Sequence, residues 1–253
     1  MHKAIFITGA SAGIGEALSL RYAQRGTYLG LLSRGEGPSL EDVANRCREK
    51  GADVLTYAAD VSQAGAVASA AEHFLSTVGR IDFVIANAGV AVPDKDGELP
   101  SLEAAMTNIN VNYYGTINTL VPFINVMKLQ RSGSLAVISS ISALRATHNS
   151  GAYSASKAAV NLWTEGLRLR LRPFGITVTT LCVGFVDTSM TKSNTFWMPG
   201  LISAAKASAL IEHAIGRRKR LTVLPWTSGG LWMFLHLLPG RLYDRLIDAA
   251  KSH

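Results

Sequence analysis

The chain has 253 residues, 48% of them hydrophobic and 17% charged, which suits one globular domain with a large buried core. Its net charge of +7 points to nucleic acid, a membrane surface or an anionic cofactor. The densest basic run, residues 217–220 (Arg-Arg-Lys-Arg), is too short for a basic tail, and zinc-finger spacing and aromatic-rich RNA motifs are absent, so phosphate binding is the better account.

Cys47 and Cys182 form no C-x-x-C motif, and the six histidines are scattered without H-E-x-x-H or similar spacing. No metal site is expected, and a reducing compartment fits best. Met1 stands two residues before an apolar, strand-like run, which leaves no room for a signal peptide. The expectation is a cytoplasmic protein of one domain spanning residues 1–253.

Residues 4–8 (Ala-Ile-Phe-Ile-Thr) form a β-rich apolar run that ends in Gly9, Ala10, Ser11, Ala12, Gly13, Ile14 and Gly15. A helical pattern follows through Ala17, Leu18, Leu20, Tyr22 and Ala23. Glycines at such a strand-to-helix turn let the backbone approach a pyrophosphate, whose charge the exposed amides and the helix dipole favour. The spacing is G-x-x-x-G-x-G, and an ordinary glycine-rich turn is the alternative.

Residues 28–33 read as the second strand, ending at Ser33 and followed by Arg34. An acidic residue near here would bind the adenosine ribose, whereas an arginine accommodates a 2′-phosphate. The absence of Asp or Glu favours NADP over NAD, a solvated loop arginine being the alternative. Helices over about 40–50 and 64–78 alternate with strands over 53–58 and 81–86, the pattern of right-handed βαβ units in a doubly wound parallel sheet. Ligands bind beyond the carboxyl ends of such strands, which places Asp60, Val61, Asn87, Ala88 and Gly89 beside the cofactor. Asn87 also suits a strand cap.

A long helix is expected from Ser101 to about Leu129, with Pro122 kinking its later part. It carries Asn108, Asn110 and Asn112, which helix propensity disfavours, so at least one has a local structural or catalytic duty. Residues 134–140 form the fifth strand, ending at Ser139 and Ser140, and residues 176–181 the sixth. Between them a helix runs from Tyr153 to about Arg172.

Tyr153 and Lys157 lie four residues apart, on one face of that helix. A nearby ammonium lowers the pKa of a phenol, which makes the tyrosine able to give and take a proton near neutrality. Alone, Y-x-x-x-K is a weak signal.

Taken in order, residues 8–15, Asn87-Ala-Gly89 and Tyr153-x-x-x-Lys157 resemble the glycine, structural and active-site motifs of the short-chain dehydrogenase/reductase family, over roughly residues 3–190. The resemblance implies a Rossmann-type sheet and roles for further residues. Ser140, thirteen positions before Tyr153, would hydrogen-bond the substrate oxygen, with Ser139 and Ser142 as neighbours that a shifted loop could promote. Asn112, in an N-x-x-G setting with Gly115, would hold a water in a proton relay through Lys157. Tyr153 would give its proton to a carbonyl as hydride arrives, Lys157 would bind the nicotinamide ribose, and Thr188, after Val186 and Asp187, would hold the nicotinamide side. Two departures stand out: Val183-Gly184 where the family often has Pro-Gly, and Ala12 where many NADP users carry a basic residue.

Residues 189–215 fall where the family's substrate-covering segment lies. Met190, Phe196, Trp197, Met198, Leu201 and Ile202 offer an apolar lid with Gly200 as a hinge, the alternative being packing on the core or a partner subunit. A helix over 204–215 and a strand over 221–224 precede a variable apolar C-terminal segment, 226–253. Its apolar run, residues 229–238, is too short to span a bilayer, which takes about 20 apolar residues. It can cover the pocket, enter a subunit interface, or lie on a membrane with residues 217–220 and Arg241 toward lipid phosphates.

The reading is an NADP-dependent oxidoreductase interconverting an apolar carbonyl and its alcohol, as a homodimer or homotetramer without nucleic acid. The alternative is a non-catalytic dinucleotide sensor or scaffold.

Overall fold

The computed structural model describes residues 3–35, 39–93, 101–147, 149–192, 194 and 198–251. Phe196 and Trp197 of the expected lid lie outside them.

The first half alternates strand and helix: β1 (Lys3–Thr8), α1 (Gly13–Tyr22), β2 (Thr27–Ser33), α2 (Leu40–Glu49), β3 (Asp53–Ala58), α3 (Ala64–Val78) and β4 (Phe83–Ala86). Then come α4 (Leu102–Asn108), α5 (Gly115–Gln130), β5 (Gly133–Ser140), α6 (Gly151–Leu171), β6 (Ile176–Val183), β7 (Val186–Asp187), α7 (Ser189–Lys192), β8 (Ile202–Ser203), α8 (Ala204–Gly216), β9 (Leu221–Leu224), α9 (Trp226–Leu237) and α10 (Gly240–Lys251). Seven strands form one parallel sheet in the order β3-β2-β1-β4-β5-β6-β9, the doubly wound architecture expected. The chain leaves β1 toward β2 on one side and returns to β4 on the other, so the crevice lies where Thr8 and Ala86 end their strands.

Alternation along β1 sorts the core onto two faces. Ile5 and Ile7 pack with Leu18 and Tyr22 of α1, Val43 and Cys47 of α2 and Ile211 of α8. Ala4 and Phe6 face α3, α5 and α6 through Val67, Phe74, Leu120, Phe123 and Val160. The Phe6 ring lies 5.6 Å from Phe74 and 4.9 Å from Phe123, centroid to centroid. With both faces covered, the strands read as continuous apolar runs.

Three details differ from expectation. The helix expected over 101–129 is α4 and α5 joined by a π-helical turn, Ile109–Tyr114, with Pro122 inside α5. Ile202 belongs to the core rather than to a lid: it pairs with Val186 in the small β7–β8 ladder and is buried against α8. The segment expected as an unassigned apolar run is the helix pair α9 and α10. Residues 217–220 lead into β9 while α9 leaves its other end, so the basic run and α9 sit at opposite ends of that strand. Among the described residues no helix is long and apolar enough to cross a membrane.

Candidate active site

The turn from β1 to α1 is built around glycines at which a side chain has no room. A Cβ on Gly15 would sit 2.0 Å from the Gly9 carbonyl oxygen, and Gly9 itself holds φ 66° with Ala88 Cα 2.8 Å from its would-be Cβ. The Asn87 amide donates to the carbonyls of Thr8 at 3.0 Å and Gly9 at 3.2 Å, while Thr8 Oγ1 accepts from the Asn87 and Ala88 amides. Asn87 therefore ties the end of β4 to the turn, which is the cap role.

The first turn of α1 receives no side-chain cap, since Ala12 has nothing to offer its amides. Its acidic residue, Glu16, is paired with Arg46 at 2.6 Å. Open amides, a helix N-terminus and a glycine floor fit the pyrophosphate of a nicotinamide dinucleotide, with half-buried Ser11 and Ile14 on either side of Gly13.

At its carboxyl end, β2 delivers buried Ser33, whose Oγ accepts from the Gly35 amide at 3.4 Å, and exposed Arg34 follows. Asp60 Oδ1 accepts from the Ser62 amide at 2.7 Å. Val61 turns its side chain into the core against Gly115, and its carbonyl accepts from the Asn118 side chain at 2.9 Å.

β5 ends at Ser140, and α6 begins so that Tyr153 lies in its first turn and Lys157 in the next. The Ser140 hydroxyl stands close enough to the Tyr153 phenol to favour its ionised form. Ser140 Oγ also accepts from the Ser142 amide at 3.1 Å, while Ser139 Oγ donates at 3.5 Å to the Lys157 carbonyl, away from the phenol. Of the three serines, Ser140 is the one that meets Tyr153.

The electrostatics overturn one expectation. Burial raises the Tyr153 pKa above its ordinary value, and the Ser140 hydroxyl offsets this only in part. Lys157 does not lower it: its Nζ donates to the Ile138 carbonyl at 3.0 Å and stands 6.0 Å from the Tyr153 ring centroid. Spacing placed the two on one helix face, but desolvation sets the direction of the shift. Burial likewise brings Lys157 down to about 8, with the nearby Cys182 thiol acting in the opposite sense.

Asn112 and Asn108 share a task. Asn112 Oδ1 accepts from the Val90 amide and its Nδ2 donates to the Val90 carbonyl, each at 2.9 Å; Asn108 grips the amide and carbonyl of Val92 in the same way at 3.2 and 2.8 Å. Both side chains are fully buried. Asn112 Nδ2 also donates to Ser156 Oγ at 2.9 Å, which in turn donates to the Tyr153 carbonyl at 2.6 Å. Both amide hydrogens of Asn112 are thus committed to positioning, and a water in a relay would have to be held by an oxygen of this residue. A Cβ on Gly89 would lie 3.1 Å from Asn112 Oδ1 and 3.3 Å from Lys157 Nζ, which places this backbone directly over the lysine.

Across the crevice, Val186 is buried and Thr188 approaches the glycine turn, its Cγ2 being 3.0 Å from the Cβ that Gly13 lacks. Gly184 donates its amide to Leu224 at 2.7 Å, which fixes the Val183-Gly184 departure from the usual Pro-Gly loop. A groove of about 500 Å³ between α1 and α8 reaches Gly13 and Thr188 but is lined by none of Ser140, Tyr153 and Lys157, so it is not the reaction pocket. Two contributors escaped the sequence: Asn108, indistinguishable there from its neighbours, and the Ile138 carbonyl, which no residue type announces.

The sequence model of the short chain dehydrogenase family matches residues 3–199. A protein of Arabidopsis thaliana named 11-beta-hydroxysteroid dehydrogenase-like 2 is 32% identical, over 97% of this chain and 80% of its own. A short chain dehydrogenase/reductase from Burkholderia phymatum, solved in complex with NAD, superposes with a TM-score of 0.84 at 25% identity, covering 93% of each chain. An alcohol dehydrogenase from Thermococcus sibiricus, solved with 5-hydroxy-NADP, gives 0.79 at 28% identity, over 88% of this chain and 96% of that one. Sequence and geometry agree, and the chain belongs to the short-chain dehydrogenase/reductase family of NAD(P)-dependent oxidoreductases acting on carbonyl and alcohol groups.

Proposed function

We propose that this protein reduces an apolar ketone or aldehyde, and oxidises the corresponding alcohol, with NADP as the preferred cofactor. The observation that carries the reading is Ser140, at the end of β5, beside the Tyr153 phenol, with Lys157 one helical turn on. The bound nicotinamide supplies the hydride. Ser140 donates to the substrate oxygen and Tyr153 gives it a proton; in the alcohol direction Tyr153 takes the proton back. Burial, which raises the Tyr153 pKa, leaves the phenol protonated at neutral pH, with a proton to give but a weaker tendency to give it. Lys157 binds the nicotinamide ribose, and Asn112 keeps the Tyr153 helix in register through Ser156. Gly9, Ser11, Gly13, Ile14 and Gly15 hold the pyrophosphate; Asp60 and Val61 frame the adenine; Asn87, Ala88, Gly89, Val186 and Thr188 line the nicotinamide side.

The preference for NADP rests on exposed Arg34 beside Ser33, a place without a carboxylate. An apolar substrate is supported by half-exposed Met190 and Leu201 in the segment 189–215, and by the steroid dehydrogenase-like name of the plant relative. Exposed Met106, Val121, Leu162 and Leu169 on α4, α5 and α6 support a homodimer or homotetramer. Two buried free thiols suit a reducing, cytoplasmic setting.

The test is oxidation of NADPH and NADH by purified protein against aldehydes and ketones from short aliphatic to steroidal, with Tyr153→Phe as control. Turnover that falls by roughly 10²- to 10⁴-fold in the variant with cofactor binding intact is expected. Tight NADPH binding without turnover on any substrate would favour the sensor or scaffold instead.

A further inference from the structure

The loop that separates Ser140 from Tyr153 is clasped by the C-terminal helix pair. Arg145 Nη1 lies within 3.2 Å of three main-chain oxygens at the end of α9: Leu235 at 3.0 Å, His236 at 3.2 Å and Leu238 at 2.9 Å. Its guanidinium stacks on the Tyr243 ring of α10, 3.9 Å from the centroid. The buried Tyr243 hydroxyl donates to the Ala146 carbonyl at 2.7 Å, and His236 Nδ1 donates to the Leu144 carbonyl at 2.7 Å. Three consecutive loop residues are thus gripped from outside. A cation at a helix C-terminus is favoured by the helix dipole and by carbonyls that lack partners within the helix.

The other end of α9 is fixed as well. β9 pairs with β6 through Val183 and Leu224, and α9 starts two residues later at Trp226. In the order β5-β6-β9 the helix therefore leaves from β9 and ends at the loop that follows β5. Twelve residues of helix extend about 18 Å, more than the roughly 10 Å between β9 and β5. α9 is a strap over the carboxyl ends of β6 and β5, where Ser140 stands.

We infer that Arg145, with Tyr243 and His236, is a latch that holds the α9–α10 strap over the substrate end of the cleft and so sets how tightly bulky substrates bind. The inference rests on the carbonyl-reductase reading above. Arg145 is a positioning residue, and the strap acts on substrate rather than on cofactor.

Steady-state kinetics of full-length Arg145→Ala, Arg145→Lys and Tyr243→Phe with NADPH provide the test, comparing a short aldehyde with a polycyclic ketone. For Arg145→Ala, KM for the ketone should rise about tenfold, the scale of one lost charge-assisted interaction, while kcat for the aldehyde and NADPH affinity hold. Arg145→Lys should restore part of the effect, and Tyr243→Phe should fall between. Equal losses on both substrates, or none on either, would overturn the latch.

If the wild type turns over no carbonyl, the functional reading fails and amide hydrogen exchange judges the latch alone. Faster exchange in Arg145→Ala confined to residues 141–147 and 234–245 supports it. Unchanged exchange, or a rise across the whole chain, overturns it.

Discussion

Lys157 donates through Nζ to the Ile138 carbonyl at 3.0 Å, so the ammonium is fixed against β5 rather than against the Tyr153 phenol. Its pKa falls from 10.5 to about 8 because it is buried. Below about pH 8 folded and unfolded chains both carry this proton, and the folded state bears the full desolvation cost. Between about 8 and 10.5 the unfolded chain binds more protons, so stability from this group rises with pH, by at most about 3 kcal/mol. Urea denaturation of wild type and Lys157→Met across that window should show the wild type gaining on the variant. Parallel curves would mean that the lysine is not desolvated.

The cofactor preference gives a second expectation. Arg34→Asp places a carboxylate at the end of β2, repelling a 2′-phosphate and offering an acceptor to a free ribose. NADPH affinity should drop roughly ten- to a hundredfold, the range of a hydrogen bond to a charged group, with NADH affinity little changed or improved. Fluorescence titration of both cofactors measures this; equal losses would remove Arg34 from the phosphate site.

Two glycines should respond in opposite directions. Gly15→Ala drives a methyl into the Gly9 carbonyl and should abolish dinucleotide binding. Gly166, exposed within α6 with no atom within 4 Å of its would-be Cβ, gains from the same change: Gly166→Ala should raise stability by about 0.5–1 kcal/mol. Thermal denaturation and cofactor titration on both variants separate space from propensity.

Asn108 and Asn112 make matching grips on neighbouring backbone segments, so alanine at either should cost about 2–4 kcal/mol by leaving buried partners unpaired. Only Asn112 continues through Ser156 to the Tyr153 helix. Denaturation should therefore rank the two variants alike while kcat falls further in Asn112→Ala. Equal kcat values would confine Asn112 to holding the fold.

Neither thiol should be reactive in the folded protein. Burial pushes Cys47 up to about 11 and raises Cys182 as well, so both are neutral at pH 8. A chromogenic disulfide reagent should label both only as fast as the chain unfolds, and prompt labelling of either would contradict its burial.

The sheet and the glycine turn were legible because β1 and β2 are apolar runs buried on both faces, and the turn after β1 needs glycine where a Cβ would strike backbone. Tyr153 and Lys157 could be picked out because a four-residue step puts them on one helix face, whereas Ser140 came only from the family resemblance, thirteen positions before the tyrosine. What escaped depends on burial or on main chain. The spacing of Tyr153 and Lys157 shows that they are near each other, not that both lose water, and desolvation reverses the expected shift of the phenol. Ile202 looked like a lid residue because a two-residue strand such as β8 has no periodicity to declare it. The Arg145 latch was invisible since its hydrogen-bond partners are carbonyls about ninety positions away, a group every residue possesses. Helix α9 is apolar enough to hide the polar alternation that marks an amphipathic helix.

The pairing of β9 with β6 also bears on how the chain is made. During synthesis from the N-terminus, β6 forms one border of the sheet until residues 221–224 emerge, with the backbone from Thr180 to Val183 short of its outer partners and its apolar faces already committed. A nascent chain, or one truncated just before Leu221, carries an open parallel border suited to pairing with another chain. The last strand replaces the eight-residue border of β6 with a four-residue one, and short edge strands are the kind that resist edge-to-edge pairing.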